Sequence, residues 1–269
     1  MGRLDNFKII IPMTGHGSRF AAQGFQKLKP FIEVHNKPII EWVVNMFPGD
    51  KDKIIFICRE SHLLQYGYIQ DEIKRIAPKA TIFSIDDWKK KGPVVDVLKA
   101  SHLIDDNCPV LVSYCDYYMH WDYKKFKKQV IDLNCDGSIP CYSNFHPHLL
   151  AKENLYASCR VNDSNNLLEI KEKYSWNEDK QDDLNSPGLY FFKSKQLLEK
   201  YCNQLIDAND SINDEYYMSL PFNYMVQDGL TVWCPTNVTK FCQWGTPEDL
   251  AEHLSWIDYA GKDEGTNCK

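Results

Sequence analysis

The sequence has no long hydrophobic run. Among its 269 residues, no apolar stretch approaches the roughly 20 residues that a helix needs to cross a bilayer, which argues against a membrane protein. The first segment, Met1 to Lys8, is also too polar for a signal peptide. Because hydrophobic residues still make up 43% of the chain, it can bury a substantial core. We therefore expect a soluble, cytoplasmic protein.

Closely paired cysteines are absent as well. The chain has 10 cysteines, a number that would suit disulfides or zinc, but none of them form a C-x-x-C pair. Five lie in apolar, strand-like runs: Cys58, Cys115, Cys141, Cys159 and Cys234. We interpret these side chains as free, buried thiols in a reducing compartment.

The sequence also lacks an excess of positive charge. Its formal net charge is -6, whereas a general nucleic-acid binder would show a basic surface. A nucleotide needs only a few local cations and stays compatible with this charge. One basic cluster is present, and we expect it to be a solvated helix face: Lys124, Lys125, Lys127 and Lys128.

What the first half contains is an alternation of short apolar runs and amphipathic segments. The predicted buried strands cover residues 9–11, 54–58, 81–85 and 110–114. The predicted helices cover residues 38–46, 61–76 and 93–103. This order is typical of a parallel sheet with helices on both faces. Since ligands of such sheets bind beyond the carboxyl ends of the strands, the loops after Ile11, Ile85 and Tyr114 should share one cleft.

The second half is less regular. Its predicted strands cover residues 137–142, 156–161, 167–172, 189–192 and 231–234. Its predicted helices cover residues 194–205 and 215–226, and residues 175–187 look like a loop. We expect this half to extend the same sheet and to add a small lobe, so that residues 1–260 form one domain and residues 261–269 a flexible tail.

A glycine-containing loop follows the first strand directly. In Gly15-His16-Gly17-Ser18-Arg19, the glycines allow the backbone to approach a phosphate closely, and free amides can hold its oxygens. The loop is not a Walker A motif, because the chain has no G-x-x-x-x-G-K-[ST] pattern. It is not the dinucleotide fingerprint either, because Phe20 stands at the third glycine position. Arg19 and the later Lys29 are cations suited to a triphosphate.

The motifs around this loop resemble those of the sugar-1-phosphate nucleotidyltransferase family. The matching segments run from Pro12 to Phe20, from Lys29 to Ile32 and from Lys37 to Ile40. They correspond to the family patterns G-x-G-[ST]-R, P-K-P-[LF] and G-K-P-[ML]-[IL]. Two positions differ from the family, since Leu28 replaces a proline and Asn36 replaces a glycine. Neither change removes a charged group.

Further segments of the chain are similar to the family in order and spacing. On the nucleotide side, Gly92-Pro93 match the position that reads the base, and Asp116 matches the metal-binding aspartate. On the acceptor side, Glu172-Lys173 match the pair that meets the acceptor, and Pro187 to Phe191, with Gly188 and Tyr190, match the acceptor strand. Trp244 to Leu250 match the closing G-T-P-E-D-L segment. The match therefore extends over most of the chain.

The resemblance implies a Rossmann-like, GT-A-like mixed and mainly parallel sheet with helices on both faces and a small acceptor-binding lobe. Residues 1–120 would mainly bind the nucleotide and residues 121–260 the acceptor. The implied reaction joins a nucleoside triphosphate to a phosphorylated small acceptor and releases pyrophosphate. Arg19 and Lys29 would be catalytic, residues 15–18 with Gly92 and Pro93 would bind the nucleotide, and Mg2+ would bind Asp116. The resemblance implies no nucleic-acid or membrane partner and is compatible with a homodimer.

Charge neutralisation suits this reaction, because two phosphates repel each other as they approach. Many relatives hold the metal with a second aspartate, at a position where this chain has Gln243. Either Asp214 or Glu215 supplies the second ligand, or the metal relies on Asp116 and the phosphates.

Most of these residues also have simpler interpretations. Asp116 could cap a helix that begins near Trp121, Lys29 could be a surface lysine, and the Glu172-Lys173 pair could be exposed at a strand end. The histidines of His146-Pro147-His148 favour backbone hydrogen bonds over zinc, with acceptor contact as an alternative. Trp244 favours the core.

Three functional hypotheses follow. The enzyme is favoured over a catalytically silent nucleotide-binding relative, because such relatives usually lose the lysine or the aspartate. A sugar transferase with a nucleotide-sugar donor should show D-x-D after the fourth strand, whereas Asp116 is followed by two tyrosines. The compact chain favours CTP and a phosphorylated capsule precursor, for instance a sugar phosphate, a phosphorylated amine or phosphoglutamine. Guanylyl, uridylyl or thymidylyl transfer is the alternative.

Overall fold

The computed structural model describes residues 7–86, 91–151 and 153–264. Its strands are β1 (Lys8–Pro12), β2 (Glu33–Val34), β3 (Lys37–Pro38), β4 (Ile54–Arg59), β5 (Thr81–Ile85), β6 (Val110–Ser113), β7 (Tyr117–His120), β8 (Gly137–Ser138), β9 (Ser158–Val161), β10 (Leu167–Lys171), β11 (Leu184–Asn185), β12 (Leu189–Phe192), β13 (Val232–Trp233) and β14 (Lys240–Gln243). Its α-helices are α1 (Ser18–Ala22), α2 (Ile39–Asn45), α3 (Glu60–Gln65), α4 (Tyr68–Ile76), α5 (Pro93–Ala100), α6 (Tyr123–Asp132), α7 (Lys195–Asp207), α8 (Pro221–Gln227) and α9 (Pro247–Glu264).

The main sheet has seven strands in the order β13-β8-β12-β6-β1-β4-β5. Strand β1 lies parallel to β4 and β6, and β4 lies parallel to β5. Strand β12 runs antiparallel to both of its neighbours, and β13 is parallel to β8. The expected mixed, mainly parallel sheet is therefore confirmed.

The central strands of the main sheet, from β12 to β4, are buried on both faces. Along β1, Ile9 and Ile11 belong to one core cluster and Ile10 to the other. On β4, Phe56 packs with Ile9 and Ile11, whereas Ile55 packs with Ile10. Continuous runs of β-branched and aromatic residues predict such strands because both faces of each strand are covered. This double burial is why the first half could be interpreted from sequence.

Three smaller sheets accompany the main one. Strands β10, β9 and β11 form an antiparallel sheet that corresponds to the expected small lobe. Strand β14 pairs with β7 across a long stretch of chain. Strands β2 and β3 form a hairpin in which His35 and Asn36 have φ values of 51° and 59°. Asparagine tolerates this left-handed backbone better than most residues, so Asn36 can take the place of the usual glycine.

Several predicted elements differ from the structure. The helix predicted over residues 61–76 is two helices, α3 and α4, because the chain breaks at Tyr66 and Gly67. The helix predicted from residue 215 begins at Pro221, a residue that suits the first helical turn. The strand predicted over residues 137–142 is regular only in β8, since Pro140 has no amide hydrogen for a ladder.

The C-terminal helix was not predicted. Helix α9 runs to Glu264, into the segment that the sequence predicted as a flexible tail. Residues 265–269 lie outside the described residues. No helix among the described residues has both the length and the apolar character needed to cross a bilayer.

The thiols agree with expectation, and so do three of the four lysines of the basic cluster. Nine cysteines lie in the described part of the chain, and all nine are buried. On α6, Lys124, Lys125 and Lys128 are exposed to solvent. The fourth lysine of the cluster, Lys127, instead places its Nζ 2.5 Å from Oδ2 of the buried Asp50.

Candidate active site

The loop after β1 lies at the carboxyl end of that strand, as predicted. Gly17 has a φ of 62° and precedes α1, and a Cβ at this position would lie 3.5 Å from the backbone nitrogen of Lys29. The loop thus packs against the residue predicted to be catalytic. His16, Ser18 and Arg19 are exposed, which leaves their side chains accessible to a ligand.

A buried anchor, which the sequence did not reveal, holds the start of this loop. The Thr14 hydroxyl donates a hydrogen bond to the carboxylate of Asp96 on α5. The Arg59 Nε, at the end of β4, donates to the Thr14 carbonyl oxygen at 2.5 Å. Helix α5 and strand β4 therefore fix the backbone from which residues 15–19 extend.

Lys29 and Asp116 form the central ion pair of the cleft. Lys29 Nζ lies 2.7 Å from Asp116 Oδ2, and both side chains are about one-fifth exposed, at 21% and 22%. Pro30 and Phe31 are buried, which fixes Lys29 at the edge of the cleft. Burial disfavours the charged lysine, but the negative charge of Asp116 outweighs it, so the pKa of Lys29 lies above its usual value.

Gln243 lies beside this pair. It ends β14, opposite Tyr117 at the start of β7, and the amide of Trp244 donates to the Asp116 carbonyl oxygen at 3.0 Å. A Cβ at Gly245 would lie 2.5 Å from Gln243 Nε2 and 3.2 Å from Asp116 Oδ2. The structure therefore places Gln243, which stands where relatives have a second aspartate, next to Asp116.

The two residues considered as a second metal ligand lie in a different loop. Asp214 and Glu215 precede Tyr216, whose amide donates to the Lys91 carbonyl oxygen at 2.8 Å. A Cβ at Gly92 would lie only 2.5 Å from the backbone nitrogen and oxygen of Tyr216. Gly92 also has a φ of 92°, so this position requires glycine for both its conformation and its close packing.

Glu172 and Lys173 lie at the end of β10, next to the loop that follows Tyr216. The Ser219 hydroxyl donates to Glu172, and burial of that carboxyl raises its pKa from 4.5 to about 7. Lys173 is exposed, and its Nζ lies 5.8 Å from the centre of the Tyr217 ring. The amide of Lys173 donates to the Tyr156 carbonyl oxygen at 2.9 Å.

Gly188 and Tyr190 support the cleft from beneath. A Cβ at Gly188 would lie 2.8 Å from the Tyr114 ring, so a side chain here would displace that ring. Tyr190 is only 1% exposed, and its ring lies 5.8 Å from that of Tyr114. The structure thus corrects the expectation for Tyr190, which lies in the core and has no surface to offer an acceptor.

Two tyrosines that the sequence did not single out line the cleft. Burial raises the pKa of Tyr217 to about 12, and the charges of Glu215, Glu172 and Arg19 also act on its hydroxyl. Burial likewise raises the pKa of Tyr156, with smaller effects from Asp249 and Asp116. Tyr217 therefore connects the loop end of the cleft to Glu172. Both tyrosines lie in irregular segments with no motif to mark them.

The two histidines of the His-Pro-His segment lie in the core, and each forms a hydrogen bond with a different core residue. His148 Nε2 lies 2.9 Å from the Tyr142 hydroxyl, and His146 Nε2 accepts a hydrogen bond from the Phe241 amide at 3.3 Å. Burial lowers the pKa of both, that of His148 to about 3. His146 makes the backbone hydrogen bonds that were favoured from sequence, whereas His148 bonds a side-chain hydroxyl. Trp244 is 2% exposed and belongs to the core, also as favoured.

The described residues thus fall into two groups, which we interpret as the two ends of one cleft. At one end lie the Gly15–Arg19 loop, Lys29, Asp116 and Gln243, and at the other lie Glu172, Lys173 and Tyr217. Gly92 joins the two ends through Tyr216. A glycine loop and fixed charges at the carboxyl ends of mainly parallel strands are typical of nucleotide-binding α/β proteins.

Comparisons with known proteins identify the family. Residues 8–251 match the family model described as Nucleotidyl transferase. The chain therefore belongs to the nucleotidyl transferase family and is a nucleotidyltransferase. No curated protein matches it in sequence.

Solved structures share the fold at low identity. The nucleoside-diphosphate-sugar pyrophosphorylase of Vibrio cholerae RC9 is 18% identical with a TM-score of 0.72, over 92% of this chain and 99% of that chain. A UDP-glucose pyrophosphorylase complexed with UDP-glucose is 13% identical with a TM-score of 0.70, over 94% and 98% of the two chains. HddC of Yersinia pseudotuberculosis, complexed with GMP-PN, is 18% identical with a TM-score of 0.61, over 93% and 99%.

Proposed function

We propose that the protein joins a nucleoside triphosphate to a small phosphorylated acceptor and releases pyrophosphate. The observation that carries this proposal is the contact between Lys29 and Asp116, 2.7 Å apart beside the Gly15–Arg19 loop. A cation for phosphate and a carboxylate for a metal therefore lie together where the strands end. Glu172 and Lys173 provide a separate polar surface for the acceptor.

The charged residues suit the bond changes of this reaction. An acceptor phosphate oxygen attacks the α-phosphorus, a new P–O bond forms, and the bond to the β-phosphate bridging oxygen breaks as pyrophosphate leaves. Arg19 and Lys29 neutralise the triphosphate, and Lys173 holds the acceptor phosphate. No protein nucleophile is required, because the attacking phosphate is already an anion. Positioning and charge stabilisation then supply most of the catalysis.

The donors at the cleft fit a magnesium ion. Mg2+ usually binds one or two protein carboxylates together with substrate phosphates, and Asp116 is such a carboxylate, with the neutral amide of Gln243 beside it. When bound, Mg2+ would stabilise negative charge on the triphosphate oxygens. In the structure the Asp116 carboxylate pairs with Lys29, so the lysine would turn to the phosphates when the cation binds.

The base and the acceptor define the finer proposal. We favour CTP as the nucleotide, with a phosphorylated capsule precursor such as a sugar phosphate or phosphoglutamine as acceptor. The UDP-glucose and GMP-PN ligands of two structural neighbours favour uridylyl or guanylyl transfer as the alternative. Thymidylyl transfer belongs to the same alternative.

A pyrophosphate-release assay tests both levels of the proposal. Each of CTP, UTP, GTP and dTTP is combined with sugar 1-phosphates, phosphocholine and phosphoglutamine in the presence of Mg2+. We expect one pair to give turnover that depends on both substrates. No release from any pair, by a protein that binds nucleotide, would favour the silent nucleotide-binding relative. Release without an acceptor would instead contradict transfer to a phosphorylated acceptor. The presence of Arg19, Lys29 and Asp116 supports the enzyme over that relative.

A further inference from the structure

Three cysteine side chains meet in the core beneath the acceptor end of the cleft. The Sγ atoms of Cys141, Cys159 and Cys234 all lie within 4.8 Å of one another. The sulfur atoms of Cys141 and Cys159 are 3.9 Å apart. These side chains are 0%, 4% and 0% exposed. Within the described part of the chain, no other group of three or more such ligands converges in this way.

The three cysteines connect two sheets. Cys141 and Cys234 follow β8 and β13 of the main sheet, and Cys159 lies on β9, the central strand of the small sheet. The Cys141 amide donates to the Pro235 carbonyl oxygen, and the Cys234 amide to that of Asn165, each at 2.8 Å. Backbone hydrogen bonds therefore hold the thiols in place.

The spacing of the sulfur atoms suits a single metal ion. A metal–sulfur bond of about 2.3 Å places three sulfurs about 4.0 Å apart in a planar site and about 3.8 Å apart in a tetrahedral one. The 3.9 Å separation of Cys141 and Cys159 already has this value. Since the longest separation allowed by the cluster is 4.8 Å, sub-ångström shifts of the third sulfur complete the site.

The three side chains are thiols in the absence of a metal, and they release their protons as they become ligands.

We propose that Cys141, Cys159 and Cys234 form a binding site for one soft metal ion of the copper(I) class, held by three thiolate sulfurs. Soft thiolates select such ions. A structural zinc site takes four protein ligands, and the described residues bring no fourth histidine, cysteine or carboxylate to the cluster. The bound ion would join the main sheet to the sheet whose β10 strand leads to Glu172, and this site is independent of the proposed substrates.

Copper(I) itself is the probe for this site. The full-length chain is synthesised with copper present, because the cluster is buried, and is purified without oxygen against a copper(I)-specific chelator. We expect one copper per chain, three sulfur neighbours by X-ray absorption, and a Tm raised by about 5 °C or more, since an ion that binds only the folded state stabilises it. The X-ray absorption of the unaltered protein tests the proposal without any variant.

Matched variants locate the site. Cys141→Ser and Cys234→Ser should each retain at least tenfold less copper, whereas Cys202→Ser, at a buried cysteine outside the cluster, should retain the full amount. The proposal is overturned if the unaltered chain retains no copper against the chelator, or if Cys202→Ser loses it equally. A Cys141–Cys159 disulfide in the anaerobically purified chain, or a preference for four-coordinate zinc, would also overturn it.

Discussion

The pH dependence of stability should report the burial of Glu172. Burial raises the pKa of this carboxyl from 4.5 to about 7, so the folded chain binds its proton more tightly than the unfolded chain does. The resulting stabilisation is complete below the unfolded pKa and is lost as the pH rises through the folded pKa. A shift of this size corresponds to about 3 kcal/mol in total, of which about 2.5 kcal/mol is lost from about pH 5 to about pH 8.

Glu172→Gln removes this titration while keeping an acceptor for the Ser219 hydroxyl. The free energy of unfolding is measured by urea denaturation across this pH range for both proteins. We expect the wild-type value, relative to that of Glu172→Gln, to fall by about 2.5 kcal/mol over that range. Taking the difference in unfolding free energy between the two proteins cancels the contribution of the buried His148. The lowered pKa of His148, about 3, gives the opposite trend, because it lowers stability as the pH falls.

An exposed carboxylate provides the control. Glu178 lies in the loop after β10 and is exposed, so the curve of Glu178→Gln should run parallel to that of the wild type. Parallel curves for Glu172→Gln and wild type would refute the reasoning, because Glu172 would then have the same proton affinity in the folded and unfolded chains.

The remaining predictions concern catalysis. Lys29→Ala should lower turnover about 10²-fold or more in a protein that still folds, as judged by circular dichroism, because a cation near developing charge contributes several kcal/mol; unchanged turnover would remove Lys29 from the mechanism. Asp116→Asn should abolish magnesium-dependent activity in a magnesium titration. Gln243→Ala should lower activity less than Asp116→Asn does, since a neutral amide contributes little charge. Equal losses of activity in the two variants would assign Gln243 a larger role. Lys173→Ala should raise the acceptor KM at least tenfold, about 1.4 kcal/mol, and lower kcat with NTP binding unchanged by calorimetry; loss of NTP affinity instead would reverse the two ends of the cleft.

The sequence predicts the parallel half of the fold well because its strands are buried on both faces. The runs at Ile9 and Ile54 need no partner from far along the chain to be interpreted as strands. The pairing of β7 with β14 could not be predicted in this way, since Tyr117 and Gln243 become neighbours only through the tertiary fold. That pairing is what places Gln243 beside Asp116.

The site residues also differ in whether a local sequence pattern marks them. Lys29 and Asp116 could be chosen because motifs with fixed spacing mark them, and the structure brings them into contact. Tyr217 and Ser219 lie in an irregular segment that the sequence assigned to a helix, and nothing local marks them as cleft residues. The prediction for Tyr190 was wrong because a motif position does not indicate which way a side chain points in a buried strand.

The contact between Gly92 and Tyr216 bears on the order in which substrates bind. Because a backbone hydrogen bond of 2.8 Å joins Lys91 to Tyr216, a nucleotide that shifts the Gly92 loop also moves the segment that carries Ser219. Ser219 bonds Glu172, so we expect the acceptor surface to respond to the nucleotide before the acceptor arrives. The kinetics should then show nucleotide binding first, with a bound nucleotide raising the affinity for the acceptor. By thermodynamic reciprocity, a bound acceptor would raise the affinity for the nucleotide by the same factor.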